Sequence, residues 1–399
     1  MSRPTPYTGP AFLSYGFRPF FMAACLFGLV AIPFWMLIWQ GELSLNSALP
    51  PVDWHSHEMI FGYGAAVIAG FLFTAVPNWT GGMPTRGRPL LLMLILWLSG
   101  RVAVFGLLPL PWWGVALIDS AFLIVLAILI AREIIAGRNW RNLMVLIPVS
   151  LLSLANLFFF AEVARTGEAA VGRRLGLALL IFLVLLIGGR ILPSFTRNWL
   201  NKAGHSRLPA PFGGFDKLSL LVSAPALVIW VIWPQAPVAA AFILMAGLLQ
   251  FIRLGRWCGF ATWHNPILAM LHVAFFFAPL GMIANAAAAM GLLSADAGLH
   301  IWGIGAIGGM TVAVMMRATM GHTGRALVSG PVLNLAFAGL VLALIGRLWR
   351  YVELPAGLTG LDLAALLWTT SFALLCWRLV PWLASGRAAR KKANQVRAD

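Results

Sequence analysis

The sequence predicts an all-α fold, a polytopic bundle of about twelve transmembrane helices. Of its 399 residues, 61% are hydrophobic and only 10% are charged, whereas charged residues make up roughly 25% of an average soluble domain. Runs of about 20 apolar residues recur along the chain, each long enough to cross a hydrocarbon core of about 30 Å. Short Gly- and Pro-rich connections separate the runs, so 1–399 is predicted to be one integral membrane domain.

The apolar runs give the spans in order. The first follows a short polar segment without a small-residue cleavage site, which predicts a retained helix instead of a removed signal peptide. The seventh and eighth are separated only by "WPQAP". The predicted spans are 17–40, 56–77, 88–108, 112–132, 143–164, 173–193, 216–234, 236–252, 265–290, 300–319, 326–349 and 357–384.

The basic residues predict the orientation of the bundle. With the N-terminus inside, 22 of the 28 Lys and Arg residues fall at cytoplasmic ends and loops, which is the positive-inside pattern. Both termini are therefore predicted to be cytoplasmic, and the basic tail 385–399 is predicted to contact anionic lipid. The net charge of +16 thus reflects topology, and no nucleic acid partner is expected.

The ends of the second, sixth and tenth spans resemble one another. They read "AVPNWTGG", "GGRILPSFTRNW" and "GGMTVAVMMRATMGHTGR", spaced by roughly 120 residues, or four helices. This spacing raises the hypothesis of a pseudo-threefold arrangement of four-helix units. The alternative is that shared Gly and Ala residues reflect only the close packing of any membrane bundle.

Three histidines lie at predicted outer helix ends. His55 and His57 precede the second apolar run, and His300 begins the tenth. Side chains at i and i+2 on a helix point about 200° apart, so His55 and His57 would bind one ion only in an extended segment, which "LPPVD" favours. Otherwise one of them ligates a metal while the other forms hydrogen bonds. His322 lies about 33 Å from His300 along the tenth helix and cannot share its site.

His272 is predicted to lie inside the membrane, within "PILAMLHVAFFFAPLGM". Intramembrane ionisable groups are costly and usually functional, and neutral imidazole is a good ligand for haem iron, copper or zinc. His264, eight residues earlier, is too far along the helix to bind the same ion. His205 lies in a long loop and is expected to be solvated.

Most of the other polar residues allow two interpretations, one functional and one purely structural. Glu58 would orient an imidazole or carry protons, or it is only an acid at a helix N-terminus. Arg101 lies near mid-membrane depth and needs a partner, which Asp119 would provide. Three arginines at inner helix ends would pair with haem propionates, or they follow from topology alone. They are Arg190, Arg317 and Arg325.

Several of these strings resemble the NnrS family of bacterial inner-membrane proteins. The resemblance is carried by "SYGFRPFF", "WHSHEMIFGYGAAVIAGFLFTAVPNWTG", "GGRILPSFTRN" and "MTVAVMMRATMGHTGR" and extends over essentially the whole chain. It implies a protein that contains haem b and copper and acts on nitric oxide in denitrification or nitrosative-stress protection. The motif histidines of the family correspond to His55, His57 and His322. His264, His272 and His300 are candidate metal ligands only because of their positions in the predicted helices.

The four-helix spacing also suggests a fold analogy with haem-copper oxidases, which have haem histidines on their second and tenth helices. By this analogy a haem would lie between those two helices, held by His57 or His55 and by His300. The oxidase copper site is not reproduced, because the sixth and seventh spans contain no histidine.

Composition and spacing alone predict a helical membrane protein with buried, metal-binding histidines, and the family resemblance implies a haem-binding protein, with copper as a second metal, that binds and removes nitric oxide. Reduction to nitrous oxide would make it an oxidoreductase, with Glu58 and Asp119 as proton-carrying acids and a quinol or redox protein as electron donor. The alternatives are a transporter or permease, and a non-catalytic nitric oxide sensor or metal-handling protein.

Overall fold

The computed structural model describes residues 7–387, and within them the chain folds into twelve long helices without a β-strand. The helices are α1 (Phe17–Trp39), α2 (Pro51–Thr80), α3 (Arg88–Val104), α4 (Trp112–Ala136), α5 (Leu143–Thr166), α6 (Ala170–Lys202), α7 (Gly214–Ile232), α8 (Pro237–Gly255), α9 (Pro266–Ala289), α10 (Ala295–His322), α11 (Gly330–Leu348) and α12 (Gly360–Ala384).

Among the described residues, eleven of these helices are long and apolar enough to cross a membrane. The remaining helix, α3, has 17 residues, at the lower limit of about 17–25 for a spanning helix. The predicted all-α polytopic bundle is therefore confirmed.

Local sequence signals explain where several helices begin and end. Proline occupies the first turn of α2, α8 and α9, where its missing N–H and fixed φ suit a helix start. Thr359 forms a capping box with Asp362 at the start of α12. At the other end, α2 and α5 stop at Gly81 and Gly167, both left-handed, which glycine adopts without a steric penalty.

The start of α2 corrects one expectation. The segment "LPPVD" was expected to be extended, but the helix already begins at Pro51 and includes His55 and His57. The reason is that proline at the first helical position favours helix initiation. The two imidazoles consequently point to different neighbours and do not form a chelating pair.

The same helix contacts recur three times around the bundle. Helix α4 packs on α5, α8 packs on α9, and α12 packs on α1. Each of these contacts joins one group of four consecutive helices to the next, and the third closes the ring. Helices α2, α6 and α10 are among the most buried. This repetition supports the pseudo-threefold arrangement of four-helix units.

Helices α2, α6 and α10 also share a rare backbone feature, a π-helical segment. The segments are Glu58–Gly64, Val184–Gly188 and Ile301–Gly308. Side chains from neighbouring helices donate hydrogen bonds to carbonyls in two of them: Trp97 Nε1 to Gly62 O, and Arg253 Nη1 to Leu185 O, both at 3.0 Å. π-helical turns are frequently found at functional sites, which directs attention to the region between these three helices.

The two ends of the described chain lie on the same face of the bundle. Arg18, at the start of α1, donates to the backbone carbonyl of Leu383 at the end of α12, at 2.8 Å, and to that of Ser385. On the opposite face Gln40 follows α1 and lies 3.4 Å from Asp362 in the first turn of α12. A common side for both termini agrees with the predicted topology; most of the predicted basic tail lies outside the described residues.

Candidate functional site

Five polar side chains from four helices meet in the interior at one end of the bundle. They are His57 and Glu58 of α2, Arg101 of α3, Asp119 of α4 and Asn156 of α5, and none is more than 8% exposed. We call this group the ionic cluster. It contains both acids that the sequence singled out, and it confirms the expected pairing of Arg101 with Asp119.

Hydrogen bonds and ion pairs connect all members of the ionic cluster. The Arg101 guanidinium donates to carboxylate oxygens of both Glu58 and Asp119. The Asn156 amide donates to the second Asp119 oxygen at 2.7 Å. His57 Nδ1 lies 3.1 Å from Glu58 Oε1, whereas its Nε2 lies 2.8 Å from Asn156 Oδ1 and 3.1 Å from Asp119 Oδ2. Both ring nitrogens of His57 are therefore occupied.

The charges of the ionic cluster balance when His57 carries two protons. Glu58 and Asp119 contribute two negative charges, and Arg101 contributes one positive charge. Both ring nitrogens of His57 face acceptor oxygens, the arrangement that an imidazolium with two N–H donors requires. Neutrality matters here because an uncompensated charge buried inside a membrane bundle is costly.

Two glycines make room for the ionic cluster. A Cβ atom on Gly100 would lie 2.5 Å from Asp119 Oδ1, and one on Gly62 would collide with the Arg101 guanidinium. Gly62 belongs to the π-helical segment of α2. Gly62 in "FGYG" and Gly100 in "LSGR" thus allow the charged side chains to approach the backbone closely.

A second candidate site comprises His55, near the outer end of α2, and His300, in the second turn of α10 at the same face of the bundle. We call these residues the outer histidine pair. His300 Nδ1 lies 2.8 Å from the backbone oxygen of Asp296 and donates to it, which fixes the tautomer and leaves Nε2 free. The His55 ring stacks on Trp35 of α1 at 4.6 Å, and neither of its nitrogens has a hydrogen bond to the described residues.

Two arginines that the sequence did not mark as candidates border His300. The Arg347 Nη1 lies 3.3 Å from Asp296 Oδ2, and the Asp296 carbonyl accepts the hydrogen bond from His300 Nδ1. Arg350 also contacts Asp296, which lies in the first turn of α10. The available sequence signal was "RLWR", which places two basic residues close together at the outer end of a predicted span.

His272 is buried, as predicted, but it does not meet another histidine. Its Nε2 lies 2.8 Å from Thr196 Oγ1 of α6, while its Nδ1 has no hydrogen-bond partner among the described residues. Nδ1 faces the backbone of Gly259, where a Cβ would approach it to 2.7 Å.

The remaining predicted residues lie apart from one another at the opposite end of the bundle. His264 is exposed, and exposed His322 stacks on Tyr15 and packs at a tilt against Phe17. Each of the three arginines lies over a different aromatic ring: Arg190 over Trp79, Arg317 over Phe195 and Arg325 over Trp382. The structure does not bring these arginines to the outer histidine pair.

Within residues 7–387, no group of three or more His, Cys, Asp or Glu side chains has the arrangement of a metal site. The histidine geometry instead distinguishes two kinds of environment. His57 is enclosed by protein partners, so a metal would have to displace one of them. His55, His300 and His272 each retain at least one ring nitrogen without a protein partner.

The model of the family described as "NnrS protein" matches residues 11–387. No curated protein matches the chain.

Proposed function

The chain belongs to the NnrS family, and from this premise we propose that it is a haem-bearing membrane protein that binds and removes nitric oxide. The observation that carries the proposal is the outer histidine pair, in which His55 and His300 each retain a ring nitrogen without a partner among the described residues. On the basis of the same family membership we propose a bacterial inner-membrane location.

The residues around the outer histidine pair fit a haem. His300 Nδ1 donates to a backbone carbonyl, the second contact that metal-bound imidazoles usually make, because it fixes ring orientation and tautomer. Arg347 and Arg350 would pair with propionates at the membrane interface, since guanidinium groups bind carboxylates well. When bound, the haem would supply an iron that coordinates nitric oxide.

The positions of the arginines in the structure change which of them we propose to pair with the haem propionates. The sequence pointed to Arg190, Arg317 and Arg325, but these residues lie at the opposite end of α6 and α10 from His300. At 1.5 Å per residue, the 17 residues between His300 and Arg317 correspond to roughly 25 Å. The proposed haem would therefore use Arg347 and Arg350.

The ionic cluster has a positioning role in this proposal. Its hydrogen bonds and ion pairs connect α2 to α3, α4 and α5 within one turn of His55. In the proposal, these contacts fix the direction in which the His55 ring points. Reduction of two nitric oxide molecules to nitrous oxide would also need two protons and two electrons. Glu58 and Asp119 are the buried acids proposed for the protons, and a quinol or redox protein is proposed as the electron donor.

Copper is proposed at a separate place. His272 combines burial with an unpaired Nδ1, and imidazole nitrogen is a suitable copper ligand. Within the described residues His272 does not belong to a group of three or more His, Cys, Asp or Glu side chains, and we propose it as a protein ligand of the copper.

Optical spectra of the purified protein test the proposal. We expect a Soret band that shifts when nitric oxide is added anaerobically, and nitrous oxide release when a reductant is also present. A colourless protein that moves a solute across vesicles would instead support a permease. A shifting band without nitrous oxide would support a sensor or a metal-handling protein.

A further inference from the structure

An apolar, partly open cavity of about 80 Å³ lies between α2, α6 and α10, with α5 alongside. All three π-helical segments reach it: Gly64, Gly188 and Ile307 belong to them and line the cavity. The cavity therefore occupies the pseudo-threefold centre, where the rare backbone feature of each unit converges.

The chemistry of the lining excludes water and ions. Thr311 is the only lining residue with a polar side chain. Its hydroxyl donates to the Ile307 carbonyl at 2.7 Å and lies 2.7 Å from the Tyr63 hydroxyl, so its hydrogen-bonding capacity is used. A cavity without free polar groups stays empty of water and binds small apolar molecules such as xenon.

The size of the cavity restricts the ligand to a very small molecule. A cavity of about 150 Å³ accommodates benzene or xenon, whereas a water-sized molecule takes up about 30 Å³. A volume near 80 Å³ therefore suits one or two diatomic molecules. Nitric oxide is uncharged, weakly polar and soluble in lipid, so it matches both the size and the chemistry.

The cavity lies inward from the outer histidine pair on both helices that carry it. Ile307 follows His300 by seven residues, and Gly64 follows His55 by nine, which corresponds to roughly 10–13 Å along a helix. We propose that the cavity is a binding site for nitric oxide inside the membrane, from which the gas reaches the outer histidine pair. This inference rests on the proposed function for the identity of the gas.

The test uses the full-length protein and xenon as a probe. Ile187, a half-buried lining residue of α6, is changed to Trp to fill the cavity and to Ala to enlarge it. Ile128→Trp is the matched control, because Ile128 is 60% exposed on the outer surface of α4. Xenon binding is followed by ¹²⁹Xe NMR, and thermal unfolding and haem spectra confirm that each variant is folded.

We expect one xenon site in the wild-type protein, its loss in Ile187→Trp, and its retention in Ile187→Ala and Ile128→Trp. Anaerobic nitric oxide should compete with xenon for this site. Absence of xenon binding, xenon binding unaffected by Ile187→Trp, or a failure of nitric oxide to compete would each overturn the inference.

This test separates the inference from the proposed function. Nitric oxide that displaces xenon from a protein without haem would support the cavity site while the proposed function fails. A protein that removes nitric oxide at the wild-type rate after Ile187→Trp would contradict the cavity site and leave the proposed function standing.

Discussion

Arg101 is the residue on which the ionic cluster depends, through its guanidinium group. It contacts both Glu58 and Asp119, and without it two carboxylates would face at most one positive charge, that of His57. Removing one partner of a buried ion pair usually costs about 3–5 kcal/mol, because the other partner remains buried and uncompensated. Charge balance at this single position therefore governs how firmly four helices are held together.

Arg101→Met should lower the free energy of unfolding by about 3–5 kcal/mol. Adding Asp119→Leu should recover part of this loss, since one carboxylate then faces one imidazolium. Thermal unfolding in detergent measures both effects, with exposed Arg132→Met of α4 as a control that should leave stability unchanged. A double variant less stable than Arg101→Met would contradict the charge-balance explanation.

At the scale of secondary-structure elements, a π-helical segment is stable only because neighbouring helices donate hydrogen bonds to its backbone carbonyls. In α2 the Gly62 carbonyl accepts a hydrogen bond from Trp97 of α3, and in α6 the Leu185 carbonyl accepts one from Arg253 of α8. In lipid, an unsatisfied carbonyl has no water to replace a lost donor. These donors are therefore part of what maintains the widened helices around the cavity.

Trp97→Phe should destabilise the protein by about 1–3 kcal/mol, the usual cost of a buried acceptor left without its donor. Hydrogen exchange should increase at the amides of residues 58–64, where the π-helical segment lies. Trp377→Phe on α12 provides the control, since that side chain is 65% exposed. Equal exchange in both variants would show that Trp97 does not support the segment.

The sequence predicted the helices well because apolar runs report directly on membrane spanning. It missed the early start of α2, since "LPPVD" was read as extended although Pro51 begins a helix. It could not predict π-helical segments, because an extra residue in a helical turn leaves no periodic signature. The three related helix ends nevertheless marked α2, α6 and α10, the helices that contain these segments.

For the molecule as a whole, three four-helix units form a closed ring around a small apolar cavity. The ionic cluster and the outer histidine pair both lie towards one end of α2, on the side opposite to Arg18 and Ser385. The sequence predicted the pairing of Arg101 with Asp119 and proposed His300 with His55 or His57 for one haem. The placement of Arg347 beside Asp296 and His300 depends on packing between helices distant in sequence, which no local pattern reveals.

The orientation of the bundle leads to a topological prediction. A fluorescent protein that matures only in the cytoplasm should fluoresce when fused to the C-terminus, because both chain ends share the predicted inner face. Alkaline phosphatase should be active when inserted after Gly41, between α1 and α2, on the opposite face. The reverse pattern would place the outer histidine pair on the cytoplasmic side.

The central claim is that the outer histidine pair holds a haem, and haem content per chain tests it most directly. Protein from its native membrane should contain haem, and His55→Ala and His300→Ala should lose most of it. His205→Ala should retain the wild-type content, because His205 is exposed in a loop and stacks only on Trp199. Equal haem in all three folded variants, or a wild-type protein without haem, would contradict the claim.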